Sequence, residues 1–251
     1  METQTKAAIV ATIAAIIVAA IFGPIVVSSN GTEDTAVNVN QTLENNNTNI
    51  ITITKDDIRS KINLEFSDYF SEDNSNWYTY PNDDECERSI DGGKLIFNKI
   101  SDESYVIFAS DLKSYTPPEN FIVEFEAKIE RNKNDGQIGI ILRKIDNDNY
   151  YRFLFSRDGN YKFEKLNNDQ FSPIISWTYS SLINEGTKTN ILKVKCEGDI
   201  FTFYINNVEI NSCADSTFAN GDIALVAGVG ENSLTSNKFS FDNFKIWSIK
   251  Y

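Results

Sequence analysis

Histidine is absent from the chain. Its absence removes the commonest general base and transition-metal ligand, and with them every Ser-His or Cys-His nucleophile pair. Basic charge is also scarce, 23 Lys+Arg against 36 Asp+Glu, for a net charge of -13. No basic cluster interrupts that balance, which opposes a phosphate backbone, so no nucleic-acid partner is expected. Three cysteines occur, Cys86, Cys196 and Cys213, without C-x-x-C spacing. A zinc site is therefore not expected, and at most one internal disulfide can form. Any acid–base chemistry must fall to carboxylates.

What the chain has instead is alternation. Apolar residues recur at Ile138, Ile140 and Leu142, at Tyr151, Phe153 and Phe155, and at Tyr161 and Phe163, the period of half-buried strands. Between them lie Asp146-Asn147-Asp148-Asn149 and Arg157-Asp158-Gly159-Asn160, residues suited to hairpin turns. Gly136 to Leu166 is thus a three-stranded meander. A second follows: Leu192, Val194 and Cys196, then Phe201, Phe203 and Ile205, an Asn206-Asn207 turn, and Val208 to Ile210. If Cys196 and Cys213 sit at one end of it, each flanks the middle strand, about 10 Å apart. That exceeds the roughly 7 Å a disulfide spans. Phe121 to Glu130 alternates strictly, and the apolar phase shifts at Asp242-Asn243, predicting a β-bulge. The stretch with Pro173, Trp177 and Tyr179 reads as irregular, and Trp77 and Trp247 as core. Evenly spaced strands without an amphipathic helix predict an all-β fold, an antiparallel β-sandwich of the jelly-roll type.

Three regions are expected. Residues 1–27 form an N-terminal membrane anchor or signal helix, because Ala7 to Val27 is uncharged and nearly all apolar and about 20 such residues cross a bilayer. Lys6 before the span and Glu33 and Asp34 after it predict a single-pass cell-membrane protein with its C-terminal domain outside. Ala7, Ala11, Ala15, Ala19 and Gly23 make a small-residue ridge that permits self-association through this helix. Lys6-Ala7-Ala8 also resembles a prepilin-type processing signal, which implies a pilin-like surface filament subunit as an alternative. Residues 28–65 are an Asn/Thr-rich stalk without an aromatic until its end, mostly an extended spacer, with a short strand at 50–54 and a helical turn within 55–64. Its N-x-[ST] sequons mark Asn30, Asn40 and Asn46 as glycosylation candidates. Residues 66–251 form the globular domain.

Six segments in order, FSDYFSEDNSNW, DGGKLIF, FIVEFEAKI, GQIGIILRKIDNDNYYRF, FTFYINNVEI and FDNFKIW, resemble the concanavalin A-like lectin/glucanase superfamily. Within it they are similar to laminin G-like modules and the 3-keto-disaccharide hydrolase family. The resemblance implies a sandwich and either a binding module or a glycosidase.

For catalysis, Glu124, Glu126 and Glu130 share one strand face and resemble the E-x-D-x-x-E strand of family 16 glycoside hydrolases. The central Asp is Glu here, and the final Glu stands one position late. For Ca²⁺, Asp146, Asp148 and Asn149 offer oxygen ligands, as loops of laminin G-like relatives do, although the same residues are those of a plain turn. For sugar binding, Arg143, Tyr150 and Arg152, with Glu126, fall opposite the apolar stripe, and Trp177 and Tyr179 border them, which together predicts a ligand platform. The expected partner is carbohydrate or a cell-surface protein, with no cofactor other than Ca²⁺.

Overall fold

The computed structural model describes residues 61–72, 76–78, 86–99, 107–113, 115–131, 136–229 and 237–250, and the backbone alone of 26–28, 37–42, 48–53 and a few strand ends. The chain divides into two compact units, Met1–Asn63 with Ile249–Tyr251, and Leu64–Ser248. In the first, β1 (Val26–Ser28), β2 (Val37–Thr42) and β3 (Thr48–Ile53) form a three-stranded antiparallel sheet. The predicted span lies in residues 7–27, of which all but the Val26-Val27 end fall outside the described residues. Among the described residues no helix is long and apolar enough to cross a membrane. Asn30 and Asn46 also lie outside them, whereas Asn40 falls in β2.

The remaining strands are β4 (Ile62–Asp68), β5 (Cys86–Asp91), β6 (Lys94–Lys99), β7 (Ile107–Asp111), β8 (Phe121–Arg131), β9 (Gly136–Lys144), β10 (Tyr150–Ser156), β11 (Asn160–Asn167), β12 (Gln170–Tyr179), β13 (Asn190–Glu197), β14 (Ile200–Ile205), β15 (Val208–Ala214), β16 (Asp222–Val229) and β17 (Lys238–Ile249). They build two antiparallel sheets. One has six strands in the order β12-β11-β10-β9-β16-β7; the other has eight, β15-β14-β13-β8-β17-β6-β5, with β4 also on β17. Both meanders therefore form as the alternation predicts, one in each sheet. Asn206 and Asn207 both take positive φ (51° and 68°), the backbone a tight hairpin turn demands. The bulge predicted in β17 falls between Asp242 and Lys245, with Asn243 at φ 52°.

The sheets pack face to face through the alternating aromatics. Phe153 and Phe163 of one sheet each meet Phe203 of the other at 4.7 Å between ring centroids, and Tyr151 meets Phe201 at 4.8 Å. Such tilted pairs each add about 0.5–1.5 kcal/mol beyond the area they bury. Trp77 is in this core, with its indole N–H on Asp68. Cys196 and Cys213 flank Phe201 in register on β13, β14 and β15, and all three cysteines are free thiols.

Three local expectations need correction. The stretch around Pro173 is not irregular: β12 is a ten-residue strand at the edge of its sheet, the place where a proline's missing N–H is tolerated. Trp247 is paired with Ile122 on the outer row of the eight-stranded sheet, where it is half-buried and outside the core. Ile62 to Leu64 open strand β4 and are not helical, whereas residues 55–60 of that expected turn lie outside the described residues.

Candidate functional site: the outer face of the six-stranded sheet

Because Tyr151, Phe153 and Phe155 enter the core, Tyr150, Arg152 and Leu154 emerge on the opposite side of β10. Cross-strand register carries that face sideways. Arg152 stands opposite Ile141 of β9 and Glu164 of β11, Leu154 opposite Gly139 and Lys162, and Tyr150 opposite Leu166. Ile141, Tyr150, Leu154, Leu166, Ala224 and Val226 form a second apolar cluster, separate from the sandwich core. Gly139 lies in its midst, where an added Cβ would meet the Phe153 carbonyl oxygen at 1.9 Å. The floor of this face is consequently apolar and, toward β16, made of small residues.

Charged groups are set on that floor. Arg152 is only 1% exposed. Its Nε donates to Glu164 Oε1 at 2.5 Å, and Lys162 Nζ reaches the same oxygen at 2.8 Å. The guanidinium carbon lies 4.1 Å from the Phe171 ring centroid, and Lys162 Nζ lies 4.9 Å from that of Trp177. Both are cation–π distances. Burial holds the Lys162 pKa below the usual lysine range; Glu164 acts against the shift and the Arg152 charge reinforces it. Trp177 and Phe171, both on β12, stay 46% and 44% exposed and border the face.

Two polar atoms here have no hydrogen-bond partner among the described residues: Arg152 Nη1 and Gln137 Oε1. Gln137 shares the outer row of β9 with Gly139 and Ile141 and is 8% exposed. An unmade bond on a buried polar group carries the full cost of its desolvation, about 1–3 kcal/mol. One orphan is a donor and the other an acceptor, at separate places on the same outer face.

Of the predicted platform, Tyr150, Arg152 and Trp177 come together. Arg143 does not. It takes φ +50° where the β9–β16 register shifts between Asp222 and Ala224, and this bulge turns its side chain inward over the Phe201 ring, at 4.8 Å. There Arg143 is wholly buried, donating to the carbonyls of Glu119, Gly198 and Phe218. Glu126 is also elsewhere, on β8 in the other sheet, and Tyr179 at the end of β12 donates its hydroxyl to Glu185. Lys162, Glu164 and Phe171 were missed by sequence reasoning. The hairpin turn at Arg157–Gly159 carried the signal, because it dictates that Arg152 and Glu164 pair.

The glutamates of β8 share a face, as predicted, but each is engaged. Glu124 pairs with Lys193 at 2.7 Å, Glu126 accepts from Asn243 Nδ2 at 2.9 Å, and Glu130 accepts from Ser240 at 2.7 Å. Burial would raise the Glu130 pKa, but Ser240 and the charges of Lys128, Lys238 and Lys94 outweigh it and hold the carboxyl below its ordinary value. A general acid needs the opposite shift. Asp146 accepts from the backbone of Asp148 and the amide of Asn149, which makes an Asx-type turn. Among the described residues no group of three His, Cys, Asp or Glu is placed to hold a metal ion.

No family model and no curated protein sequence matches the chain. Solved structures do. A carbohydrate-binding module, CBM66 from Bacillus subtilis, is 22% identical with a TM-score of 0.52, covering 69% of this chain and 96% of its own. A Bacillus subtilis protein with a galectin-like fold is 11% identical, with a TM-score of 0.56 over 74% of this chain and 97% of its own. The laminarinase of Flavobacterium sp. UMI-01 is 13% identical, with a TM-score of 0.56 over 74% and 100%. The domain shares the antiparallel β-sandwich fold of these proteins. At these identities the likeness concerns architecture alone, and one architecture serves binding modules and hydrolases alike.

Proposed function

We propose that the outer face of the six-stranded sheet binds carbohydrate and that the protein is a lectin-like module displayed outside the cell. The observation that carries this reading is the unpartnered, buried Arg152 Nη1 on an apolar floor whose edge strand presents the half-exposed Trp177, with a second unpartnered atom, Gln137 Oε1, farther along the same face. A sugar supplies what that face lacks: hydroxyls that both donate and accept, and an apolar ring face to stack on an indole. The carbohydrate-binding and carbohydrate-cleaving neighbours of like fold support it. The finer resemblance to laminin G-like and 3-keto-disaccharide hydrolase domains belongs to the same reading and rests on the six ordered segments. Binding is preferred to hydrolysis because the β8 glutamates are committed to partners.

Display outside the cell rests on the apolar run Ala7 to Val27 and the flanking charges. N-terminal sequencing of the mature protein tests it: an intact start supports the anchor, and cleavage beside Ala7 supports the filament alternative.

Glycan-array binding by the full chain, with and without Ca²⁺, tests the site. Wild-type protein should bind and Trp177→Ala should not. Equal binding by both would overturn the assignment of this face, and turnover of a glycan lost in Glu126→Gln would overturn the choice of binding over catalysis.

A further inference from the structure

The charges on the outer face do not balance. Arg152 and Lys162 both spend their short contact on one oxygen, Oε1 of Glu164. The positions surrounding Arg152 on β9 to β11 are otherwise Ile141, Tyr150, Leu154 and Leu166, none of them charged. Two cations against one carboxylate leave a surplus positive charge in a place where Arg152 is 1% exposed and its Nη1 has no acceptor among the described residues. Buried charge is tolerated when it is paired and hydrogen-bonded. A neutral hydroxyl would satisfy the hydrogen bond and leave the charge. An anionic oxygen satisfies both.

From this we infer that the sugar unit seated over Arg152 carries an acidic group, a carboxylate or a sulfate, and that Arg152 and Lys162 set the specificity of the site for it. This rests on the carbohydrate reading above. The Phe171 ring lies over the guanidinium, so it must swing aside for the anion to reach Nη1; its 44% exposure on an edge strand leaves it room to do so. Trp177, next to Lys162, then offers its free surface to the ring of the same sugar or its neighbour. The net charge of -13 narrows the class further. A long polyanion is repelled by the protein as a whole, whereas one acidic unit feels mainly the groups within a Debye length, about 8 Å at physiological salt. The ligand is therefore an otherwise neutral glycan with an isolated acidic sugar.

The test is calorimetric titration of the full chain with three matched sets: neutral oligosaccharides ending in glucuronic acid, the same compounds with that carboxyl reduced to a hydroxymethyl group, and counterparts ending in a sulfated hexose. An acidic set should bind roughly tenfold or more tightly than the reduced set, and which acidic set does so identifies the group. Arg152→Gln should collapse the ratio of acidic to neutral affinity. Lys162→Gln, at a less buried position, should shrink it, and provides the answer if Arg152→Gln does not fold. Equal affinity for acidic and reduced sets, or an unchanged ratio in Lys162→Gln, overturns the inference and leaves carbohydrate binding standing. Failure of every set to bind overturns both.

Discussion

Arg152 and Glu164 stand directly opposite each other on adjacent strands, joined Nε to Oε1 and almost wholly removed from water, on a sheet face that points away from the sandwich core. The core is buried and aromatic; this pair brings fixed charge to the other side of the same strands. Removing one partner should be costly because the remaining charges stay buried. Glu164→Gln strands both Arg152 and Lys162, and urea denaturation should show a loss of about 3–5 kcal/mol. A loss under 1 kcal/mol would mean that water reaches the pair.

Trp177 should behave in the opposite way. It is nearly half exposed on an edge strand, so Trp177→Ala should shift unfolding free energy by no more than about 0.5 kcal/mol while abolishing glycan binding. Loss of stability and binding together would instead make the indole a packing residue.

Gly221 is required by the bulge that turns Arg143 inward. It has φ +143°, and a Cβ there would lie 2.6 Å from the Arg143 carbonyl carbon and 2.7 Å from the Lys144 oxygen. Gly221→Ala should destabilise by more than about 1 kcal/mol. Thermal unfolding measures it, and an unchanged Tm would show that the β9–β16 bulge relaxes freely.

Asp215 should contribute to acid sensitivity. Burial would raise its pKa, but Lys165, Thr217 and the Tyr151 hydroxyl outweigh that and hold the carboxyl well below the usual range. With the folded value depressed, the stabilisation is present above the unfolded pKa of about 3.9 and is lost as pH falls toward the folded value. Asp215→Asn should flatten the fall in stability below pH 4, followed by denaturant titration at a series of pH values. Its partner works at the other extreme. Burial, then Asp215, push the Tyr151 phenol up to about 12, so Tyr151 costs stability as pH rises from about 10 to 12, where the unfolded phenol ionises first. An unaltered acid limb in Asp215→Asn would place the titrating group elsewhere.

Both meanders, the Asn206-Asn207 turn and the β17 bulge were legible in the sequence because each depends on neighbours a few residues away. Side chains alternate with a period of two, and turn residues announce where a strand reverses. Half of the site was legible for the same reason: Tyr150 and Arg152 alternate with Tyr151 and Phe153, so their outward direction is a local property. Lys162 and Glu164 were within reach of the same logic through the register of their hairpin.

Sequence alone determined an all-β globular domain of alternating strands, without histidine chemistry, whose core is aromatic. Only the tertiary structure decided which outward residues meet. Arg143 reads as outward by parity, and one bulge reverses it; Glu126 reads as Arg152's companion, and sheet order sends it to the other side of the sandwich. Pro173 reads as a strand breaker, and an edge position accommodates it, so that β12 brings Phe171 and Trp177 over the two cations. The β9–β16 register shift, strand order and edges are set by contacts between residues far apart in the chain, and no local pattern records them.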